Sequence, residues 1–390
     1  MQYIYLDHNA TTPLRPEVKE TITNSLDLYG NASSYHPLGI KARESIENAR
    51  SGILAFLGAD EGRLIFTSNG SESNNLVLKG LVCEGSICPR HKTARKRPHV
   101  ITTQIEHPSV INTVSCLNRI GAEVTLLDVD QYGLVDPDEI KRALRPSTVL
   151  VSIMHGNNEI GTIQPIGNIG SYLQNEGITF HTDAVQTVGK IPVDVNKLNV
   201  DYLSLSGHKI NAPKGIGALF IRRIMTLCPL IHGGHQEQNL RAGTENTIGI
   251  IAMGKAIELI KLEGETAIQE TQRLRDRLYE NLSQNLTGVH LNGHPTRRLP
   301  GTLNVSFDRI DGAALLEMMA IEGIAASTGS ACSTGDSKPS HVLTALGLPP
   351  ERIRSAIRFS LGYGNTETEI DTAGEKIIQM VSRLRKISPI

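Results

Sequence analysis

The chain has 390 residues, 39% of them hydrophobic and 20% charged, with 39 Lys and Arg against 40 Asp and Glu. That length holds two domains, or one large α/β unit with an appendage, and the balanced charge gives no case for nucleic acid or a membrane surface as partner. No apolar run approaches the roughly 18 to 20 residues of a membrane span. The opening "MQYIYLDHNATTP" lacks the basic and apolar regions of a signal peptide. The five cysteines, at 83, 88, 116, 228 and 332, are scattered and odd in number, unlike a secreted disulfide framework. A cytoplasmic location is therefore expected.

In chain order, "RLIFTS" (63–68), "HVITTQ" (99–104), "EVTLLDVD" (123–130), "TVLVSIMH" (148–155), "ITFHTDA" (178–184) and "DYLSLS" (201–206) read as strands. Helix-periodic segments such as "NNLVLKGL", "PSVINTVSCLNRIG" and "IGNIGSYLQNEG" lie between them. Such alternation predicts a mostly parallel sheet with helices on both faces. From 248 the pattern is helical for over thirty residues, with "LEGE" (262–265) as a possible break, and the remainder mixes strands and helices as a smaller α+β domain. Two loops interrupt the rhythm: the basic "CEGSICPRHKTARKRPH" (83–99) and the Gly/Ser-rich "STGSACSTGDSKPS" (327–340), whose length suits a functional or mobile segment.

Lys209, in "SLSGHKINAPKGIGALF" (204–220), falls at the end of a predicted buried strand, where an ammonium is costly to desolvate. It is either a member of a structural ion pair or the covalent anchor of a cofactor. Ligands in open α/β sheets gather at the carboxyl ends of strands, and other suitable groups are predicted there: Asp183, Asn158, His107, Ser206 and His208. "NGSES" (69–73) opens a helix after its strand, a setting whose amides suit a phosphate. Together they fit pyridoxal 5'-phosphate, which needs a lysine for its aldehyde, a carboxylate for its ring nitrogen, and amides and hydroxyls for its phosphate.

The chain resembles the fold-type I pyridoxal phosphate enzymes, and among them the cysteine desulfurases of the NifS/IscS group. The likeness runs through "YLDHNATTP" (5–13), "MHGNNEIGTIQPI" (154–166), "HTDAVQTVGKIPVD" (181–194), "SGHKINAPKGIGALF" (206–220), "RAGTEN" (241–246), "LPGTLNVSF" (299–307), "STGSACS" (327–333) and "IRFSLG" (357–362), in the family's order. The resemblance implies an α/β fold with a large, mostly parallel seven-stranded sheet domain (14–255) and a smaller α+β domain (1–13 and 256–390). It makes Lys209 the Schiff-base lysine, Asp183 the ring-nitrogen partner, Gln186 the donor to the phenolic oxygen and His107 the imidazole stacked on the ring. Asn158 contacts the ring's oxygen side. Ser206, His208, Gly70 and Ser71 hold the phosphate, and Thr244 reaches the phosphate of the other subunit of a homodimer. Arg358 pairs with the substrate carboxylate, and Asn31 and Asn9 line the substrate side. Departures are few. Asn69 stands where the family has glycine, on a tight turn for which asparagine tolerates a left-handed backbone. Alanine replaces proline in "GNASS" (30–34), and the 83–99 segment is longer than the family norm.

The reaction turns on Cys332, whose neighbours are Gly, Ser, Thr and Asp with no apolar face to pack. It resembles the persulfide-forming cysteine of the family. The resemblance implies removal of sulfur from L-cysteine to give L-alanine, with sulfur passed to an acceptor, an iron–sulfur scaffold protein in many relatives. A selenocysteine lyase, another cysteine lyase or a class V aminotransferase remains the nearest alternative; a binding module without turnover gains little from so complete a set of residues. Cys83, Cys88 and His91 have loosely metal-like spacing but lack a fourth ligand, so a solvated basic loop is expected and no metal.

Overall fold

The computed structural model describes residues 3–82, 97–223, 227–328 and 339–387. Twelve strands occur among them: β1 (Ile4–Tyr5), β2 (Arg63–Thr67), β3 (His99–Thr103), β4 (Glu123–Leu127), β5 (Thr148–Ser152), β6 (Phe180–Asp183), β7 (Tyr202–Ser206), β8 (Gly217–Ile221), β9 (Val289–Leu291), β10 (Thr302–Phe307), β11 (Ile324–Ala325) and β12 (Ala356–Ser360). Seven of them form one sheet in the order β2-β8-β7-β6-β5-β3-β4. The run from β7 to β4 is parallel, whereas β8 pairs antiparallel with both β7 and β2. All six strand segments expected in the first half of the sequence belong to this sheet, while those expected in "GTLNVSF" and "AIRFSLG" form β10 and β12 of a separate three-stranded sheet. The seventh strand, β8, returns after the Pro213/Gly215 turn that follows Lys209. Strands β6, β7 and β8 are buried throughout, as expected where helices cover both faces.

Of the four apolar cores among the described residues, two lie on the large sheet, one belongs to the smaller unit, and one joins Ile105, Met154 and Ile160 to Val342, Leu343 and Leu346 across the two. The largest draws on residues from Val18 to Ile257 around the seven-stranded sheet. That of the smaller unit joins Leu6 to residues from Leu274 to Leu384, around the three-stranded sheet β12-β10-β9. Helix Thr247–Asn285 runs between these two and is broken at Gly264 (φ 58°, ψ −147°), within the "LEGE" stretch. Strand β1 crosses to the smaller unit by pairing parallel with β11, Ile4 opposite Ile324.

Parallel crossovers bring the carboxyl ends of β2, β3, β5, β6 and β7 to one edge of the sheet. The smaller unit meets that edge through Asn9, whose Nδ2 donates to Asn158 O (3.1 Å) and Thr302 Oγ1 (2.8 Å). A chamber of about 550 Å³ opens at this meeting line.

Candidate active site

Lys209 closes a short 3-10 turn, Gly207–Lys209, that follows β7. Its Nζ donates to Asn9 O (2.5 Å) and Ala10 O (2.6 Å) and lines the chamber. Asp183 ends β6 on the same wall. Its Oδ1 accepts from the Val185 amide (3.0 Å) and its Oδ2 from Asn74 Nδ2 (2.7 Å), so the carboxylate is oriented by donors on both oxygens. Asn74 also donates to Ser109 Oγ (2.9 Å), which meets His107 Nδ1 at 2.8 Å.

His107 is the N-cap of helix Pro108–Arg119, with Pro108 at the first helical position, where its missing N–H costs nothing. Burial depresses the His107 pKa; Asp183 pulls it up, and Lys209 and His341 push it down. Burial wins, so the imidazole is neutral at neutral pH and can move a proton in either direction. Next to it, Glu106 is fully buried and accepts from the Met154 amide (2.9 Å) and Thr103 Oγ1 (2.8 Å). Those bonds favour the charged form, but desolvation outweighs them and raises its pKa to about 8. Glu106 thereby ties the end of β3 to the end of β5 and fixes the turn that carries His107.

The floor of the chamber fits a phosphate. Ser206 Oγ is buried with no hydrogen-bond partner among the described residues, a cost of about 1–3 kcal/mol unless something is bound there. Gly70 and Ser71 open helix Gly70–Val82 on the same wall. A Cβ at Gly70 would lie 2.5 Å from Val185 Cγ2, so only glycine lets the helix start come this close to β6 and β7. Asn69 is absent from the left-handed residues. Its Oδ1 instead accepts from the Glu72 amide (2.9 Å), which corrects the expectation of a left-handed turn: here asparagine works as a helix cap. His208 Nδ1 meets Thr11 Oγ1 (3.2 Å), and burial holds its pKa down at about 4.

On the opposite wall, Arg358 from β12 is 2% exposed and donates to Asn158 O (3.1 Å) and Asp7 Oδ1 (2.8 Å). Its Nε is buried without a partner among the described residues. The guanidinium is thus an ion-pair member and a chamber wall at once, with donor capacity left for an anion. Gln186 Nε2 donates to Asn9 O (3.0 Å), while its Oε1 accepts from Lys190 Nζ (2.8 Å).

The chamber brings together Lys209, Asp183, His107, Asn158, Gln186, Ser206, His208, Gly70, Ser71, Asn9 and Arg358. It does not bring in Asn31, which is exposed and accepts the Ser33 amide on its own loop (2.9 Å). Thr244 is also exposed and lines a separate hollow with Ser68 and Glu237. Cys332 lies outside the described residues, as do Cys83, Cys88 and His91. The flanks of Cys332's segment are placed, however. Ser327 pairs with Arg358 through both backbone amides, and on the far side Ser340 Oγ donates to Glu159 Oε2 (2.6 Å) while His341 Nε2 meets Glu106 O (2.9 Å). Sequence reasoning missed Asn74, Ser109 and Lys190. Each sat inside or beside a quoted motif, but only the folded chain shows what it touches. Among the described residues no cluster of His, Cys, Asp or Glu could hold a metal ion, and no helix is long and apolar enough to cross a membrane.

The family model described as "Aminotransferase class-V" matches residues 4–372. A protein of Methanosarcina thermophila named cysteine desulfurase IscS is 47% identical over 388 residues, covering 99% of this chain and 94% of its own. One from Trichormus azollae named cysteine desulfurase is 46% identical over 390 residues, covering 100% and 95%. Among solved structures, a NifS-like protein superimposes with a TM-score of 0.89 at 37% identity, covering 98% of this chain and 100% of that one. A structure titled SspA in complex with cysteine gives 0.80 at 39% identity, covering 92% and 98%. With fold, site and relatives in agreement, this chain belongs to the class-V aminotransferase family, among its cysteine desulfurases of the NifS/IscS group.

Proposed function

We propose that the protein, loaded with pyridoxal 5'-phosphate at Lys209, takes sulfur from L-cysteine to give L-alanine and a persulfide on Cys332. The observation that carries this is the single chamber lined by Lys209, Asp183, His107 and Arg358, with both flanks of Cys332's segment fastened to its walls. The residues present fit the cofactor: an unpartnered buried hydroxyl at Ser206, a helix start cleared by Gly70, and a carboxylate at Asp183 braced by two donors. Bound there, pyridoxal phosphate supplies an electron sink for the substrate's Cα.

The protein's own groups do the rest. Arg358 fixes the substrate carboxylate through donors not used by Asp7. Lys209 Nζ would hold the cofactor and, once the substrate amine has displaced it, would be free as the base that takes the Cα proton, while Asp183 would keep the ring nitrogen protonated. The Cys332 thiolate attacks the substrate sulfur; an S–S bond forms as the C–S bond breaks, and the carbon fragment takes up protons, with the neutral His107 passing on the one it accepts from the Cys332 thiol, to leave as alanine.

The two largest apolar cores, one on each side of the line, support the division into a larger unit, 14–255, and a smaller one, 1–13 with 256–390, which meet in a shared cluster around Ile105, Ile160 and Val342. A homodimer is supported by the exposed apolar side chains Leu26, Tyr29, Tyr35 and Leu38, gathered on one stretch, and by the exposed Thr244, whose segment is braced by Arg241–Glu72 (3.0 Å) and the buried Arg50–Glu237 pair (2.8 Å). We place the protein in the cytoplasm, delivering sulfur to an acceptor protein such as an iron–sulfur scaffold.

The test is a product balance: cofactor-loaded protein, L-cysteine and a reductant, with alanine, pyruvate and sulfide measured together. Equal alanine and sulfide, both lost in Cys332→Ala while cofactor absorbance is retained, is the expected result. Pyruvate in place of alanine would overturn it and make the protein a cysteine lyase.

A further inference from the structure

Lys190 has no part in the chemistry above, yet it is wired into the chamber wall. Its half-buried side chain lines a second cavity of about 250 Å³, which lies against the break in helix Thr247–Asn285. Gln186 and Asn9 line the chamber on the other side. Nζ of Lys190 reaches through this partition to two amide oxygens, Gln186 Oε1 at 2.8 Å and Asn9 Oδ1 at 3.1 Å.

A carboxamide has one accepting end and one donating end, and the group that claims the oxygen decides where the NH₂ points. With Oε1 taken, Gln186 presents Nε2, which donates to Asn9 O at 3.0 Å. With Oδ1 taken, Asn9 presents Nδ2 to Asn158 O and Thr302 Oγ1. Turning Gln186 over would set its oxygen against the Asn9 carbonyl and its NH₂ against an amine that offers only donors when protonated. Burial, with Lys209 and Arg358 nearby, brings the Lys190 pKa down to about 7. Both of its protonation states keep N–H bonds for the two oxygens, so the arrangement does not depend on charge.

We propose that Lys190 is a positioning residue: by holding the oxygens of Gln186 and Asn9, it fixes both amides so that Gln186 meets an anionic oxygen in the chamber as a donor. The inference rests on the reading of the chamber as the pyridoxal phosphate site, where the phenolic oxygen is that anion.

A double-mutant cycle on the cofactor-loaded protein tests it. The pH midpoint of the visible absorption band is measured for wild type, Lys190→Met, Gln186→Ala and the double variant, with circular dichroism confirming the fold. Lys190→Met is expected to move the midpoint up by roughly half to one pH unit, the size of one hydrogen bond. Gln186→Ala should move it at least as far, and the double variant no further than Gln186→Ala alone. Lys190→Arg, which keeps donors, should stay near wild type. A Lys190→Met shift that adds in full to that of Gln186→Ala overturns the inference, because the lysine would then act as a charge and not through the amide. No shift in Gln186→Ala overturns it by a different route, since Gln186 would not meet the cofactor at all. Lys190→Leu carries the same cycle if Lys190→Met does not fold.

Discussion

Asn74 Nδ2 joins Asp183 to Ser109, and Ser109 joins His107, so one helix residue sets the geometry of two chamber-lining groups. Replacing Asn74 by Ala removes a hydrogen bond to a charged acceptor, worth about 1.5–3 kcal/mol. Cofactor affinity and kcat/KM are expected to fall ~10- to 100-fold in Asn74→Ala, measured by cofactor titration and steady-state kinetics. An unchanged cofactor affinity would show that Asp183 is held by the Val185 amide alone. The contrast between these residues shows what a sequence reveals at this scale. Lys209 and Asp183 were legible because a charged group at the end of a buried strand requires an explanation. Asn74 was not, because a polar residue in an amphipathic helix is ordinary until its partner is known, and that partner lies 109 positions away. Lys190 is hidden for the same reason, since nothing in the sequence pairs it with Gln186 and Asn9.

Helices and strands divide along similar lines. The six parallel-sheet strands announce themselves by β-branched runs between helical segments. The seventh, β8, is buried on both faces and has no alternation from which its antiparallel direction could be read. The break in helix Thr247–Asn285 was foreshadowed by "LEGE", and Gly264 adopts a backbone region open almost only to glycine. Gly264→Ala is expected to lower stability by about 1–3 kcal/mol, read from denaturant midpoints, even though a Cβ there would meet no neighbouring atom. A neutral result would mean that the two halves of the helix bend by another route. Glu237, Gln238 and Asn239 form three consecutive left-handed residues, strain that no pattern in the sequence advertises. Glu237 secures them by accepting from Arg50 and from the Phe66 amide (2.9 Å). Glu237→Ala leaves Arg50 buried beside Glu47 alone, and a loss of about 3–5 kcal/mol is expected in the same unfolding assay; a loss below 1 kcal/mol would count against that role.

For the molecule as a whole, burial governs the response to acid. The pKa values of His8, His155 and His208 are held near 4 and that of His181 near 3, below the ordinary 6.5. The unfolded chain therefore takes up their protons first, and the stability they lend, complete above pH 6.5, drains away as the pH falls towards 4. Glu106, raised to about 8, works in the opposite sense and offsets one of the four between pH 6.5 and 4.5. Each uncompensated proton is worth ~1.4 kcal/mol per pH unit. Between pH 7 and 8 the loss from Glu106 is balanced by Lys190, whose ammonium the folded chain gives up near 7, so Tm should be nearly level there and fall from about 6.5 to 4.5, as followed by thermal melts across that range. A Tm that held down to pH 4.5 would mean that these imidazoles reach water.

The pairing of β1 with β11 sets a timetable. Ile4 and Tyr5 are made some three hundred residues before their partners Ile324 and Ala325. The large sheet can close as soon as β8 has emerged, because its members all lie between Arg63 and Ile221. Throughout that interval β1 has nowhere to dock, and Leu6 waits outside the core it will enter. Asn9 and Ala10, whose carbonyls hold Lys209, ride on this same late-docking arm. A nascent chain can therefore carry a folded sheet well before it carries a finished chamber, and any cofactor it meets in the meantime finds Lys209 without one of its walls.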